Sequence, residues 1–536
     1  MKNLITLFFV SMFILTSCKK NIDRLPLNNV AIENYYKNTA EVQIGLNGCY
    51  AGLRPTLIEE WQMTELRSDI AIMGSQGSSS VPNREKSDLD LFIPSTSLTA
   101  IYTYWSANYA NIRNINTVLN ALAIDYNPAT GTLTKGTTTV VISNEDLKDL
   151  SAQAAFLRAY HYFNLVRLYG GIFLIHEPFV GAQALEAVNI NRSTVADCYK
   201  LIIADLQYAA DNGISSNYSV LSNSANSANL GKVNSWTAKA LLAKVYLTLD
   251  RKNDAIPLLN DVINNSGYGL VTTGVNPYAD IFSISNEMNK EVLFAVRYKA
   301  GGIGLGSPWP NTFAPELSGN AIVNGDGNGF NNGAYEFENQ YSAADLRKTF
   351  TLGIWPTATT AVTSTSRRLY PKKHITPVTL VNDAENDWIV MRFADVLLMK
   401  AEAQGYSQAS LDLINQTKSR AGLGANYLTL VNVPNDQRFA DSLSRERKLE
   451  FAFENVRWFD MIRYNTTLPA QSEDAVTRLK NHFAFMFTNH YGKYPNPAPT
   501  LATIQSYVTN DKLLLPIPQR EIDNNTHIVI PQNPGY

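Results

Sequence analysis

Apolar residues recur at three- and four-residue spacing along much of this chain, and the runs are closed by glycine, proline or polar clusters. In "NTAEVQIGLNGCYAGLR", Val42, Leu46, Cys49, Tyr50 and Leu53 share one face, which predicts a first helix opened by Thr39. "YTYWSANYANIRNINTVLNAL" repeats the pattern with Trp105, Tyr109, Ile112, Ile115 and Leu119. Next, Leu150, Ala154, Leu157, Tyr160 or His161, Asn164 and Leu168 track one side of a long helix until Gly170 and Gly171 end it. Another helix starts at Ser193 or Thr194 in "STVADCYKLIIADLQYAAD". Period-two alternation is scarce, so the expected fold class is mostly α.

Two stretches carry a finer pattern. In "WTAKALLAKVYLTLDRKNDAIPLLNDVINNSGYGL", Ala243 and Tyr246 precede a short polar turn, and Ala255, Leu259 and Val262 follow it. Small residues thus face bulky ones across a helical hairpin, a layout that resembles a tetratricopeptide repeat. "DVLLMKAEAQGYSQASLDLINQTKSRAGL" repeats it with Ala401, Ala403, Ala409 and Leu413. Between these pairs, residues from about 270 to 382 are rich in Gly, Asn, Thr, Ser and Pro, with "EVLFAVRY" and "TPVTLV" as short strands. Trp309, Phe313, Phe330, Tyr335, Tyr341 and Trp355 in this stretch argue for an ordered, loop-built surface on a helical scaffold.

The first residues have another purpose. Lys2, an apolar run from Leu4 to Leu15, and small Thr16 and Ser17 form the layout of a secretory signal, too short for the roughly 20 apolar residues of a membrane span. Leu15-Thr16-Ser17-Cys18 resembles a bacterial lipobox, which implies removal of residues 1–17. Cys18 would then carry diacylglycerol and an amide-linked acyl chain such as palmitate, more than the two signals stable anchoring takes. Residues 18–35 read as a polar tether and 36–536 as a single domain. Cys49 and Cys198 fall inside apolar helical patterns and read as buried thiols, one bridge between them being the alternative. A formal charge of -2 over 536 residues gives no polyanion-binding bias, so nucleic acid is a poor partner. The 27 Tyr exceed the 22 Phe, which hints at half-wet rings.

Candidate chemistry narrows quickly. The 6 histidines stand singly, without the i, i+4 partner of helical zinc sites. No GxSxG elbow occurs, and the glycines of "GGIGLGSPWP" precede Pro308 and Pro310, which forbid a phosphate-holding helix. In "NGDGNGFNNGAYE", Asn324, Asp326 and Asn328 take the first three alternate positions of a calcium loop, but position twelve is Tyr335 and the one carboxylate makes a weak site. Glu446, Glu450 and Glu454 fall four apart on one helical face and, with Asp460, offer a carboxyl pair for glycoside hydrolysis. Interleaved Arg445, Arg447, Lys448 and Arg457 favour ion pairing instead.

Taken in order, "AEVQIGLNGCYAGL", "YWSANYANIRNIN", "AQAAFLRAYHYFNLVRLYGGIFL", "IVMRFADVLLMKAEA", "SRERKLEFAFENVRWFDMIRY" and "LLLPIPQREIDNNTHIVIPQNPGY" resemble the SusD/RagB family of outer-membrane lipoproteins nearly end to end. The resemblance implies a helical body of four tetratricopeptide-like pairs with a second, loop-rich half. It implies a cell-surface binder, not an enzyme, that passes oligosaccharide to a SusC-like TonB-dependent barrel. Peptide import is the alternative ligand class, and a hydrolase using the acids above is the alternative activity. A sugar ring stacks its C–H face on aromatics and needs amide or carboxylate partners for its hydroxyls. The expected site is therefore Trp309, Tyr335 and Tyr341 with Asn311, Asp326 and Asn328, and the polar loop "SSSVPNREKSDLDLF" lines it.

Overall fold

The computed structural model describes residues 35–74, 81–179, 190–356, 367–493, 499–525 and 527–536. The signal segment, Cys18 and all but the last residue of the tether lie outside them.

Eight helices of ten or more residues come before the loop-rich stretch among the described residues: α1 (Thr39–Ala51), α2 (Leu53–Thr64), α3 (Val81–Asp90), α4 (Thr99–Ala121), α5 (Asn144–Tyr169), α6 (Val195–Asn212), α7 (Ser235–Thr248) and α8 (Lys252–Asn265). After it come α9 (Phe393–Gln404), α10 (Gln408–Arg420), α11 (Asp436–Glu450), α12 (Arg457–Thr467), α13 (Ala475–Met486), α14 (Leu501–Tyr507) and α15 (Gln519–Asn524). Shorter helical turns lie between them. Helix α1 packs on α4, α5 on α6, α7 on α8 and α9 on α10; α4–α5, α6–α7 and α8–α9 contacts stack these four pairs in order. The small residues explain the closeness. Ala152, Ala154, Ala155 and Ala159 of α5 and Ala238, Ala240 and Ala243 of α7 are all fully buried, so backbones approach without side chains between them.

Local chemistry sets the helix ends. Asn38, not Thr39, caps α1: its extended backbone lets the side chain accept the Glu41 N–H at 3.1 Å. Thr194 caps α6. Gly170 ends α5 at φ 73°, in the left-handed region glycine enters freely. Residues 81–90, expected as loop, are helix α3, and 75–80 before them lie outside the described residues.

The strands are short and form antiparallel pairs. β1 (Ala71–Ile72) pairs with β5 (Asn332–Gly333), β2 (Ile124–Asn127) with β3 (Thr132–Lys135), β4 (Val292–Val296) with β8 (Trp388–Arg392), and β6 (Leu352–Trp355) with β7 (Arg368–Pro371). "EVLFAVRY" is therefore β4. "TPVTLV" is no strand: Leu380 makes one isolated bridge to Asp383 across a turn with Asn382 at φ 60°, and β4 pairs instead with the segment leading into α9. Among the described residues a large apolar core runs from Val42 to Ile530 through the helices and the loop-rich stretch, with a smaller one around Tyr278 and Ile281. No described helix is long and apolar enough to cross a membrane.

Candidate functional site

The rings expected at a surface lie mostly in that core. Trp309 is 1% exposed, stacked on Phe313 at 5.6 Å and tilted against Trp388 at 4.6 Å. Tyr335 and Tyr341 are buried, and their hydroxyls donate to Arg367 O and Leu449 O, each at 2.9 Å. These rings bolt the loop-rich stretch to the helices and offer no face to a ligand. Asn311 is also buried: its amide donates to Asn324 O and Asp326 O, and its oxygen accepts the Asn382 N–H. Asp326, at φ 72°, accepts N–H groups of Leu317, Ser318, Gly319 and Gly327 within 3.2 Å. A carboxylate filled by hydrogen donors is a loop brace, and it leaves a calcium ion only the amides of Asn324, which donates to Thr379 O, and exposed Asn328. Among the described residues no group of three or more His, Cys, Asp or Glu could hold a metal. Cys49 and Cys198 are buried free thiols.

The acids considered for hydrolysis are sealed inside an ionic network. Helix α11 stops at Glu450, and Phe453 and Asn455 take positive φ, so Glu454 leaves the face of Glu446 and Glu450. Arg347 reaches Glu446 at 2.7 Å and Glu450 at 2.9 Å; Lys418 joins Glu446 at 2.8 Å. Arg392 bridges Glu450 at 2.5 Å and Glu454 at 2.9 Å, Arg420 contacts Glu450, and Lys373 meets Glu454 at 2.7 Å. Asp460 is held by Arg447 and Arg463. Burial pushes the Glu446 carboxyl up, but Arg347 and Lys418 outweigh it and hold the group at about 2. Glu450 is likewise held far below the carboxylate range by Arg420, Arg392 and Arg347 against its burial. Acids locked in the ionised form and closed to water cannot protonate a glycosidic oxygen. The pairing expected from the sequence is present, but the cations for Glu446, Glu450 and Glu454 come from Arg347, Lys373, Arg392, Lys418 and Arg420 rather than from helix neighbours.

A different ring reaches the surface. Phe330 is half-buried; one face is parallel to Trp61 of α2, centroids 6.2 Å apart at 16°, and Lys86 Nζ of α3 lies 4.5 Å from its centroid. Beside it, the Asn331 amide is fully buried yet makes no protein hydrogen bond through either polar atom. Asn328 is exposed, and Glu59 is half-buried with its carboxyl raised by burial, Lys86 acting against the shift. Backbone contact fixes this edge. A Cβ on Gly74 would meet Gly329 O at 2.1 Å, so only glycine lets the end of β1 lie against the loop before β5. The edge thus joins a ring, an ammonium and unspent amides, the mixture a polyhydroxylated ring requires. Sequence reading missed it as a site, although a lone ring within "NGDGNGFNNG" has no apolar partner in that run to bury it.

Stacked helix pairs carrying a loop-built surface with half-wet rings define a helical binding scaffold. Two family models match the chain in separate pieces, "SusD family" over residues 296–536 and "Starch-binding associating with outer membrane" over 33–247. The chain belongs to the SusD/RagB family. It is 26% identical to "SusD-like protein P2" of Formosa agariphila across 99% of both chains. Among solved structures, a SusD homolog from Bacteroides thetaiotaomicron superposes with a TM-score of 0.73 at 19% identity, covering 94% of this chain and 98% of that one. Surface glycan-binding protein A from Bacteroides thetaiotaomicron, in complex with laminarihexaose, superposes with a TM-score of 0.66 at 20% identity over 93% of this chain and all of that one.

Proposed function

We propose that this chain is a lipoprotein of the outer membrane, acylated at Cys18 and facing the cell exterior, that binds oligosaccharide at the Phe330 edge. It passes the glycan, without catalysis or cofactor, to a SusC-like TonB-dependent barrel. The observation that carries the reading is the end-to-end likeness to a protein solved with laminarihexaose, together with a ring and free amides at one loop edge. Apolar contact with the open edge of Phe330 supplies affinity and orientation, while Lys86 and exposed Asn328 offer hydroxyl partners. A panel of six-residue oligosaccharides tests it: the account expects at least one to be retained with no new reducing ends. Release of reducing ends would convert the reading to a hydrolase, and retention of peptides but of no glycan would convert it to peptide import.

A further inference from the structure

A second ring-lined surface lies between α4, the extended segment after α5, and α15. It is a cleft of about 350 Å³, within the ~300–1,000 Å³ range of small-ligand sites. One wall is aromatic and preset. Trp105 sits 5.0 Å from Tyr109 and edge-on to Phe173 at 5.7 Å, and the Tyr109 hydroxyl donates to Phe173 O at 2.9 Å. Trp105 is buried, whereas Tyr109 and Phe173 keep part of their rings open. The facing wall is mixed: Glu521, Asn524 and Asn525 of the C-terminal segment line it beside Ile530.

Glu521 sets this cleft apart from an ordinary gap between helices. Its half-buried carboxylate makes no hydrogen bond or ion pair with any described residue, although Arg520 is adjacent in sequence; the Arg520 guanidinium instead lies 4.6 Å from the Tyr102 ring. Burial pushes the Glu521 carboxyl above its ordinary value, with Arg520 opposing. An acceptor taken partly out of water without a partner carries a cost that a ligand hydroxyl would relieve. Asn524 is exposed beside it and also spends no side-chain bond on any described residue. Ring faces opposite an unpaired carboxylate and an amide are amphipathic in the same sense as a sugar residue. The cleft is also a separate place. Glu85 of α3, next to Lys86, accepts the Thr99 N–H at the start of α4, and Thr99 to Tyr109 is about 15 Å of helix.

We propose that this cleft is a second saccharide site, taking one or two residues of a neutral glycan with the C–H faces on Tyr109 and Phe173 and the hydroxyls on Glu521 and Asn524. The choice of ligand class rests on the glycan reading above, and the geometry of the cleft does not. Hydrogen–deuterium exchange on the purified protein tests the two independently, with laminarihexaose and a panel of other six-residue oligosaccharides in excess. Protection is expected both in residues 311–331 and in 519–525. Phe173→Ala and Glu521→Gln should each weaken the second effect at least tenfold in midpoint concentration and leave the first unchanged. Protection confined to 311–331 would overturn the second site alone. Protection at neither place would overturn both readings, and protection of 519–525 that survives the Phe173→Ala, Glu521→Gln double variant would remove these contacts from it.

Discussion

Side chains of one type do opposite work here, and burial decides which. Trp309 and Phe330 belong to the same loop-rich stretch, yet Trp309 is closed between Phe313 and Trp388 while Phe330 keeps an open edge. Phe330→Ala should therefore weaken oligosaccharide binding by roughly 1–3 kcal/mol, the loss typical of a central contact, with the melting temperature little changed. Trp309→Ala should cost about 3–5 kcal/mol of stability instead. Paired titration and thermal melts check both, and equal losses of stability would end the distinction. This is also why the site was illegible by composition: spacing cannot tell which ring tertiary contacts will cover. Isolation among Asn and Gly was the available signal, and it marked Phe330. Protonation follows the same logic. Glu446 sits at about 2 against an ordinary 4.5, so the folded state holds that proton more weakly than the unfolded chain. Its stabilisation is present above pH 4.5 and is lost as pH falls toward 2. Glu65 is raised to about 8, first by burial and then by Glu454 and Glu60 against the Asn455 N–H and Lys373. Its contribution is fully present below pH 4.5 and is lost as pH rises through 8. Thermal melts from pH 3 to 9 should fall at both ends, and Glu65→Gln should flatten the alkaline side.

Helices were legible because their periodicity is local; junctions were not. The stripes of α1, α4 and α5 and the paired patterns of α7–α8 and α9–α10 all became packed faces. Failures came where distant partners decide. The polar run 81–90 reads as a loop, yet Asp90 in that helix accepts the Met73 N–H at 2.9 Å and the Tyr491 hydroxyl at 2.8 Å. The acids of α11 read as paired with the cations interleaved among them and instead pair with cations from α10, β8 and the loop-rich stretch. Removing one such cation leaves uncompensated buried charge. Arg392→Met should thus destabilise by about 3–5 kcal/mol, measured by chemical denaturation; a loss below 1 kcal/mol would mean that the network is dispensable. Gly74→Ala addresses the junction under the candidate site. Its Cβ would press on Gly329 O, so the β1–β5 contact should shift at a cost of about 1–3 kcal/mol, and glycan binding should fall with it.

At the scale of the whole molecule, the large apolar core joins stacked helix pairs to a loop-built edge. Anchoring, as proposed, would belong to the first residues, which lie outside the described structure. The proposal predicts a mature chain beginning at Cys18 with mass added by acylation, found in the membrane fraction, and a Cys18→Ala protein released from it; an unmodified amino terminus in mass spectra would contradict this. Binding is the central claim. The most direct measurement is a crystal structure of the protein with an oligosaccharide retained from the panel. The account predicts sugar rings against the Phe330 edge within hydrogen-bond reach of Lys86 or Asn328. A glycan bound elsewhere, with the Phe330 edge bare at saturating ligand, would contradict it.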